Sequence, residues 1–199
     1  MGCKHTSPAR KDDLDINLHD LDETGRLHYF YHSPSSVLPI RDVLNEQGQG
    51  YKTEPYLEKQ AENYCGECMQ PNIRGFLRSR EKYLFLVTKC MRREIKHFRT
   101  HYIVAYLQKS KAHGYEWRPG GFYAALGDLK IYSFEDSYPL ESMDNFRWFP
   151  RKANERMTAR ILDHLGDGRS ILTSCLSELE RLKRDLPEGK RKRQAKKCR

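Results

Sequence analysis

Apolar and polar positions are unevenly spread along this 199-residue chain, and the strongest patterns begin well inside it. Leu27 to Tyr31 is aromatic enough for a short strand, and Ser33-Pro34-Ser35-Ser36 closes it. Residues 45–72 are polar and punctuated by Gly48, Gly50, Pro55, Gly66 and Pro71, which reads as loop with a short helix near Glu54 to Asn63. Tyr83-Leu84-Phe85-Leu86-Val87-Thr88 and His101-Tyr102-Ile103-Val104-Ala105-Tyr106-Leu107 are continuous apolar runs of strand length. Gly121 to Ala125 and Lys130 to Phe134 are weaker strand candidates. The connections are too short for crossover helices, so the pattern predicts an antiparallel sheet or small barrel.

Beyond residue 150 the period changes from two toward 3.6. Asn154 is placed to cap a helix with Met157, Ile161, Leu162 and Leu165 on its apolar stripe, ended by Gly166 and Gly168. Ser170 is placed to cap a second helix, with Ile171, Leu172, Cys175, Leu176, Leu179 and Leu182 on one side and Pro187 beyond its end. The predicted fold class is α+β, a β-rich centre followed by a C-terminal helical hairpin. Residues 1–26 read as a flexible acidic leader, 27–186 as a single domain and 187–199 as a disordered basic tail.

Charge sharpens this picture. The net charge of +9 hides two basic blocks. Residues 73–118 carry twelve basic against three acidic side chains, and residues 183–199 carry nine against two. The first block lies in the most strand-like stretch. A basic surface on a folded core points to a polyanion, because neutralising phosphates releases counterions. Arg74, Arg78, Arg80, Lys82, Arg92, Arg93, Lys96 and Arg99 are the expected phosphate contacts. Selectivity for a base is expected at Trp117 and Trp148, each beside an arginine (Arg118, Arg147), where an indole can wall a pocket and stack on an unpaired base.

No apolar run reaches the roughly 18 residues of a membrane span, and no secretory signal opens the chain. Six cysteines are too sparse for a stapled secreted fold. A cytoplasmic, nucleoid or nuclear location is expected. Met1-Gly2-Cys3-Lys4-His5-Thr6 fits the N-myristoylation pattern, which carries meaning only in a eukaryotic source.

Three constellations bear on chemistry. Cys65-Gly66-Glu67-Cys68 has the spacing of half a zinc site, which His97 and His101 would complete across a long spacer. Asp128 and Lys130 form a (D/E)-x-K pair of the kind used by magnesium-dependent nucleases, with Glu116 the nearest second acid. Glycine-rich phosphate loops and serine-nucleophile elbows do not occur, which sets aside P-loop kinases and dinucleotide enzymes.

The strand Tyr83 to Thr88, the basic loop after it and the strand Tyr102 to Leu107 resemble the PUA-like superfamily of EVE, YTH and ASCH domains, with Phe134 to Leu140 similar to a pocket rim in such domains. The resemblance implies a small β-barrel with flanking helices and a pocket for a flipped or modified base. The spaced glycine, lysine, glutamate and arginine of the ASCH signature are missing, so it lends no support to a nuclease of that type. The expectation is thus a module that binds DNA or RNA, with a metal-dependent nuclease or a protein-interaction module for an acidic partner as alternatives.

Overall fold

The computed structural model describes residues 20–32, 36–40, 63–65, 75–76, 79–96, 98–116, 123–140 and 151–184. Seven strands, β1 (Asp22–Phe30), β2 (Asn63–Cys65), β3 (Glu81–Lys89), β4 (His101–Glu116), β5 (Tyr123–Ile131), β6 (Tyr138–Leu140) and β7 (Arg151–Ala153), precede helices α1 (Glu155–Gly166) and α2 (Leu172–Arg184). The class is α+β, as the pattern predicts. The strands form one sheet in the order β2-β5-β4-β3-β1-β7, with β6 added to β4 beyond the end of β5. Among the described residues this order is open, and β2 and β7 lie at its two ends.

The sheet is mixed rather than antiparallel. β1 runs parallel to β3, from Gly25 beside Tyr83 to Phe30 beside Thr88, while the other pairs are antiparallel. Local pattern carries no information about which distant strand β1 joins. β1 also begins at Asp22, inside the stretch read as a mobile leader, because Asp22 donates its amide to the Arg80 carbonyl and starts the ladder on β3. The two weak candidates around Ala124 and Ile131 are one strand. After Ile131 the chain turns through Phe134–Asp136 and resumes pairing with β4 as β6.

The long apolar runs follow from burial on both faces of the sheet. On one face Leu27, Tyr29, Phe85, Val87, Ile103 and Tyr106 pack with Ile161 and Leu165 of α1. On the other, Phe30, Phe76, Leu84, Leu86, Val104 and Leu107 pack with Cys175 of α2. Tyr83, Phe85 and Tyr102 are core, as their runs suggest.

The helices therefore do not lie side by side as a hairpin on one layer; they straddle the sheet. Asn154 caps α1 as expected, its side-chain oxygen accepting the Met157 amide at 2.9 Å. Ser170 does something else. Its hydroxyl accepts the amide of Ile131 at 3.3 Å, and the Ile171 amide donates to the Ile131 carbonyl at 2.7 Å. The segment between the helices thus crosses the outer edge of β5 where that strand stops. Gly168 sits there because a Cβ would come within 2.8 Å of the Tyr132 ring.

One buried polar cluster lies at the start of β1 and β3. Glu81 accepts Nε of Arg26 at 2.7 Å, Nη2 of Arg26 at 3.1 Å and the Ser79 hydroxyl at 2.7 Å. Lys109 reaches the same region, its ammonium donating to the carbonyls of Phe76 and Ser79 at 3.0 Å each and lying 4.3 Å from the Phe76 ring centre. Burial brings its pKa down to about 8. Glu81 thus holds Arg26 and, at 4.0 Å, Lys152 at the surface, with the buried Lys109 ammonium close by on backbone carbonyls. Glu81→Ala should destabilise the protein by about 3–5 kcal/mol, since it strands buried charge. Urea unfolding measures this, and a loss below about 1 kcal/mol would show that water reaches the cluster.

Candidate functional site

The expected cationic residues do not form one face. Arg74, Arg78, Trp117, Arg118, Arg147, Trp148, Cys68 and His97 lie outside the described residues. The remaining cations fall at opposite ends of β3, roughly 27 Å apart at the usual strand rise.

At the start of β3, Arg80 and Lys82 are paired with acids. Arg80 donates through Nε to the Asp20 carbonyl at 2.7 Å and pairs with Asp22 at 3.3 Å. Lys82 hydrogen-bonds Glu23, which also accepts the Tyr83 hydroxyl at 3.1 Å. The bond to Lys82 pulls the Glu23 carboxyl below its ordinary pKa and raises that of Lys82. Two acids of the stretch expected to be mobile, Asp22 and Glu23, are the partners of these bases.

At the other end, the β3–β4 loop carries Arg92, Arg93, Lys96 and Arg99 with Glu94 as its one acid. The loop is closed at its base: the Cys90 amide donates to Thr100 at 3.0 Å and the Arg99 amide to Cys90 at 2.9 Å. Arg99 takes a left-handed backbone at φ 67°. Arg93, Lys96 and Arg99 are exposed; Arg92 is half-buried, with Nε 3.2 Å from Glu94.

Beside this loop sits a residue that sequence reading passed over. His32 follows β1, and its ring joins three segments. Nδ1 accepts the Met91 amide at 3.1 Å, so the proton is on Nε2, which faces the carbonyls of Ser36 and Leu38 at 3.1 Å each. Burial holds the ring neutral, with a pKa of about 4, and the nearby Arg92 charge adds to that shift. Among the described residues, the large apolar side chains left in solvent lie next to these contacts: Tyr31 is 47% exposed, Val37 61% and Met91 39%. The available signal was a histidine at a strand end followed by a serine-proline turn, too common to single out.

The other constellations do not assemble. Asp128 and Lys130 are exposed on one face of β5, as a (D/E)-x-K pair requires. Glu116 pairs with Tyr123, however, five residues along β5 from Asp128, or about 17 Å. One metal cannot bridge that gap. Cys65 pairs with Ala124 near one end of β5, whereas His101 begins β4 beyond the other end. Counting along the register separates them by on the order of 30 Å, which breaks the proposed zinc set. Among the described residues, no three histidine, cysteine or acidic side chains converge as metal ligands. No described helix is long and apolar enough to cross a membrane. Cys175 is buried and its thiol pKa is pushed up to about 12, so it is no nucleophile.

A concavity of about 570 Å³ lies between the Phe134–Asp136 turn and α1. It is lined by Glu135, Asp136, Asp163 and Asp167 together with Arg160 and His164. His164 Nε2 lies 3.3 Å from the Ser137 carbonyl and its ring stands edge-on to Tyr138. Comparison with protein-family models, with curated proteins and with solved structures returned no match to this chain.

His32 makes the loop end sensitive to acid. Its folded pKa lies below the unfolded 6.5, so the unfolded chain binds the extra proton between about pH 6.5 and 4. The stabilisation is full above 6.5 and lost as pH falls toward 4, by about 3 kcal/mol. Buried His28, with a pKa near 3, adds to the same trend. Unfolding free energies measured across this range should fall steeply with acid, and His32→Gln should flatten part of the slope. An unchanged slope in that variant would place the acid sensitivity elsewhere.

Proposed function

We propose that the protein binds nucleic acid, with the β3–β4 loop as its phosphate-contacting surface. The observation that supports this best is the separation of charge along β3. Arg80 and Lys82 at one end are matched by Asp22 and Glu23, while Arg93, Lys96 and Arg99 project into solvent from a loop tied at Cys90. A local excess of exposed cations on a fixed loop attracts a polyanion and orders it by backbone contact.

Under this proposal the partner is DNA or RNA, and the protein works in the cytoplasm or alongside nucleoid or nuclear material. The basic tail, residues 187–199, adds affinity without choosing sequence. A pocket for a flipped or modified base, with Trp117, Arg118, Arg147 and Trp148 around it, is the finer form of the reading. The barrel implied by a PUA-like domain belongs to that finer form too; closure would need contact between β2 and β7, the two ends of the strand order. Cleavage is the weaker reading, because Glu116 stands far from Asp128 and Lys130.

Titration of a labelled oligonucleotide at rising salt tests the proposal. Affinity should drop steeply, and the combined Arg93→Gln, Lys96→Gln and Arg99→Gln variant should weaken every sequence alike while lowering the logarithmic salt slope by up to about 3. Magnesium should produce no cut strands. Salt-independent binding, or an unaffected triple variant, would overturn the assignment of the loop. Capture of an acidic protein without any affinity for oligonucleotide would give the loop to a protein partner instead.

A further inference from the structure

We infer that the nucleic acid held at this loop is single-stranded, and that the sheet end beside the loop stacks its bases. This rests on the reading of the β3–β4 loop as a phosphate-contacting surface and goes on to name the strand form.

The stacking surface is built from strand alternation. Lys89 on β3 and His101 on β4 are direct cross-strand partners and therefore share a face. That face is the α1 side, because Val87 and Ile103 belong to the core packed under α1. Tyr29 pairs with Val87 on the same side, its ring 5.8 Å from that of His101, and Tyr31 meets the Tyr29 ring edge-on at 5.4 Å. One step past the covered Tyr29, the sheet therefore presents Tyr31, Lys89 and His101 in a row. Tyr31 is 47% exposed, and the other two are half-buried. Met91, 39% exposed, follows two residues after Lys89 at the start of the basic loop, its amide held by His32.

His32 fixes this arrangement. It bonds the Met91 amide and the carbonyls on both sides of Val37, and Tyr31 is its neighbour in the chain. The three exposed apolar groups are thus held by one buried ring rather than left on independent loops. A preorganised surface of this kind binds without the entropy of ordering it first.

The chemistry fits unpaired bases. A duplex hides its base faces and offers phosphate on the outside, for which a tyrosine ring, an imidazole and a thioether have no use. An unpaired base offers a flat apolar face to stack on such groups while its phosphate meets a nearby cation. A lipid surface fits less well. Bilayer penetration favours contiguous apolar side chains, and here Lys89 and His101 stand between the apolar ones.

The test compares a labelled single-stranded thymidylate homopolymer with a duplex of equal length, using the full chain. Wild type should prefer the single strand. Tyr31→Ala should lower single-strand affinity about tenfold and leave duplex affinity and the salt slope unchanged, while Tyr31→Phe should keep both. Met91→Ser, at an exposed position, should shift the preference in the same direction as Tyr31→Ala and stands in should that variant fold poorly; melting temperatures near wild type show that the surface alone was changed. An unaltered single-strand to duplex ratio in folded Tyr31→Ala and Met91→Ser overturns this inference and leaves the loop reading intact. Unaltered affinity for both ligands in the Arg93, Lys96 and Arg99 triple variant overturns the loop reading. Binding to phosphatidylserine vesicles with no affinity for either oligonucleotide overturns the inference in favour of a membrane contact.

Discussion

The parallel register of β1 on β3 decides what meets at each end of the sheet. With Gly25 beside Tyr83 and Phe30 beside Thr88, both strands start together and stop together. Their starts bring Arg26 to Glu81 and the acids at Asp22 and Glu23 to Arg80 and Lys82. Their ends bring His32 to Met91. A shift by one residue would turn Leu27 and Tyr29 from the α1 core to the other face and break both sets of contacts at once. The close fit at Gly25, where a Cβ would come within 2.3 Å of the Phe85 ring, makes such a shift more costly still.

From this pairing follows an electrical asymmetry along the molecule. At one end Arg80 and Lys82 are paired with Asp22 and Glu23, and Arg26 with buried Glu81. At the other, the loop after β3 has Glu94 as its one acid, and Arg93, Lys96 and Arg99 are exposed. Total charge describes neither end. The mixture of a polar cluster inside and a cationic loop outside also explains why Lys109 has a depressed pKa although it lies in the most basic stretch of the chain: burial dominates, and the Arg26 charge adds to it while Glu81 opposes it.

The central strands and α1 were legible because their signals are local. Tyr83 to Val87 and Tyr102 to Leu107 are apolar at every position, as strands covered on both sides tend to be, and Asn154 stands where a cap is needed. The parallel partner of β1 was not legible, since it is set by contacts across more than fifty residues. Ser170 looked like a cap because a serine before an apolar stripe usually is one; only the neighbouring strand edge shows that its hydroxyl is used by Ile131. At the site, the basic residues were read as one patch because twenty-six positions in sequence look close, and a nine-residue strand running through them does not announce its length. Glu116 and the Cys65–His101 pairing failed for the same reason. His32 carries no periodic signal at all, and its role exists only in the three backbone groups that reach it.

The crossing of the β5 edge by the segment from Asp167 to Ile171 has a consequence for how the chain acquires its structure during synthesis. Both covering helices follow every strand in the sequence, and one short strap carries the chain from the first face to the second. A nascent chain can pair β1, β3, β4 and β5 before either covering helix has been made. Neither face is sealed until α1 has docked, and the second waits for the strap to pass Ile131. From the completion of β5 at Ile131 until the second helix ends at Arg184, the ribosome therefore holds a sheet that lacks its covering helices, and a stop before Ile161 yields a product that chaperones and proteases would recognise.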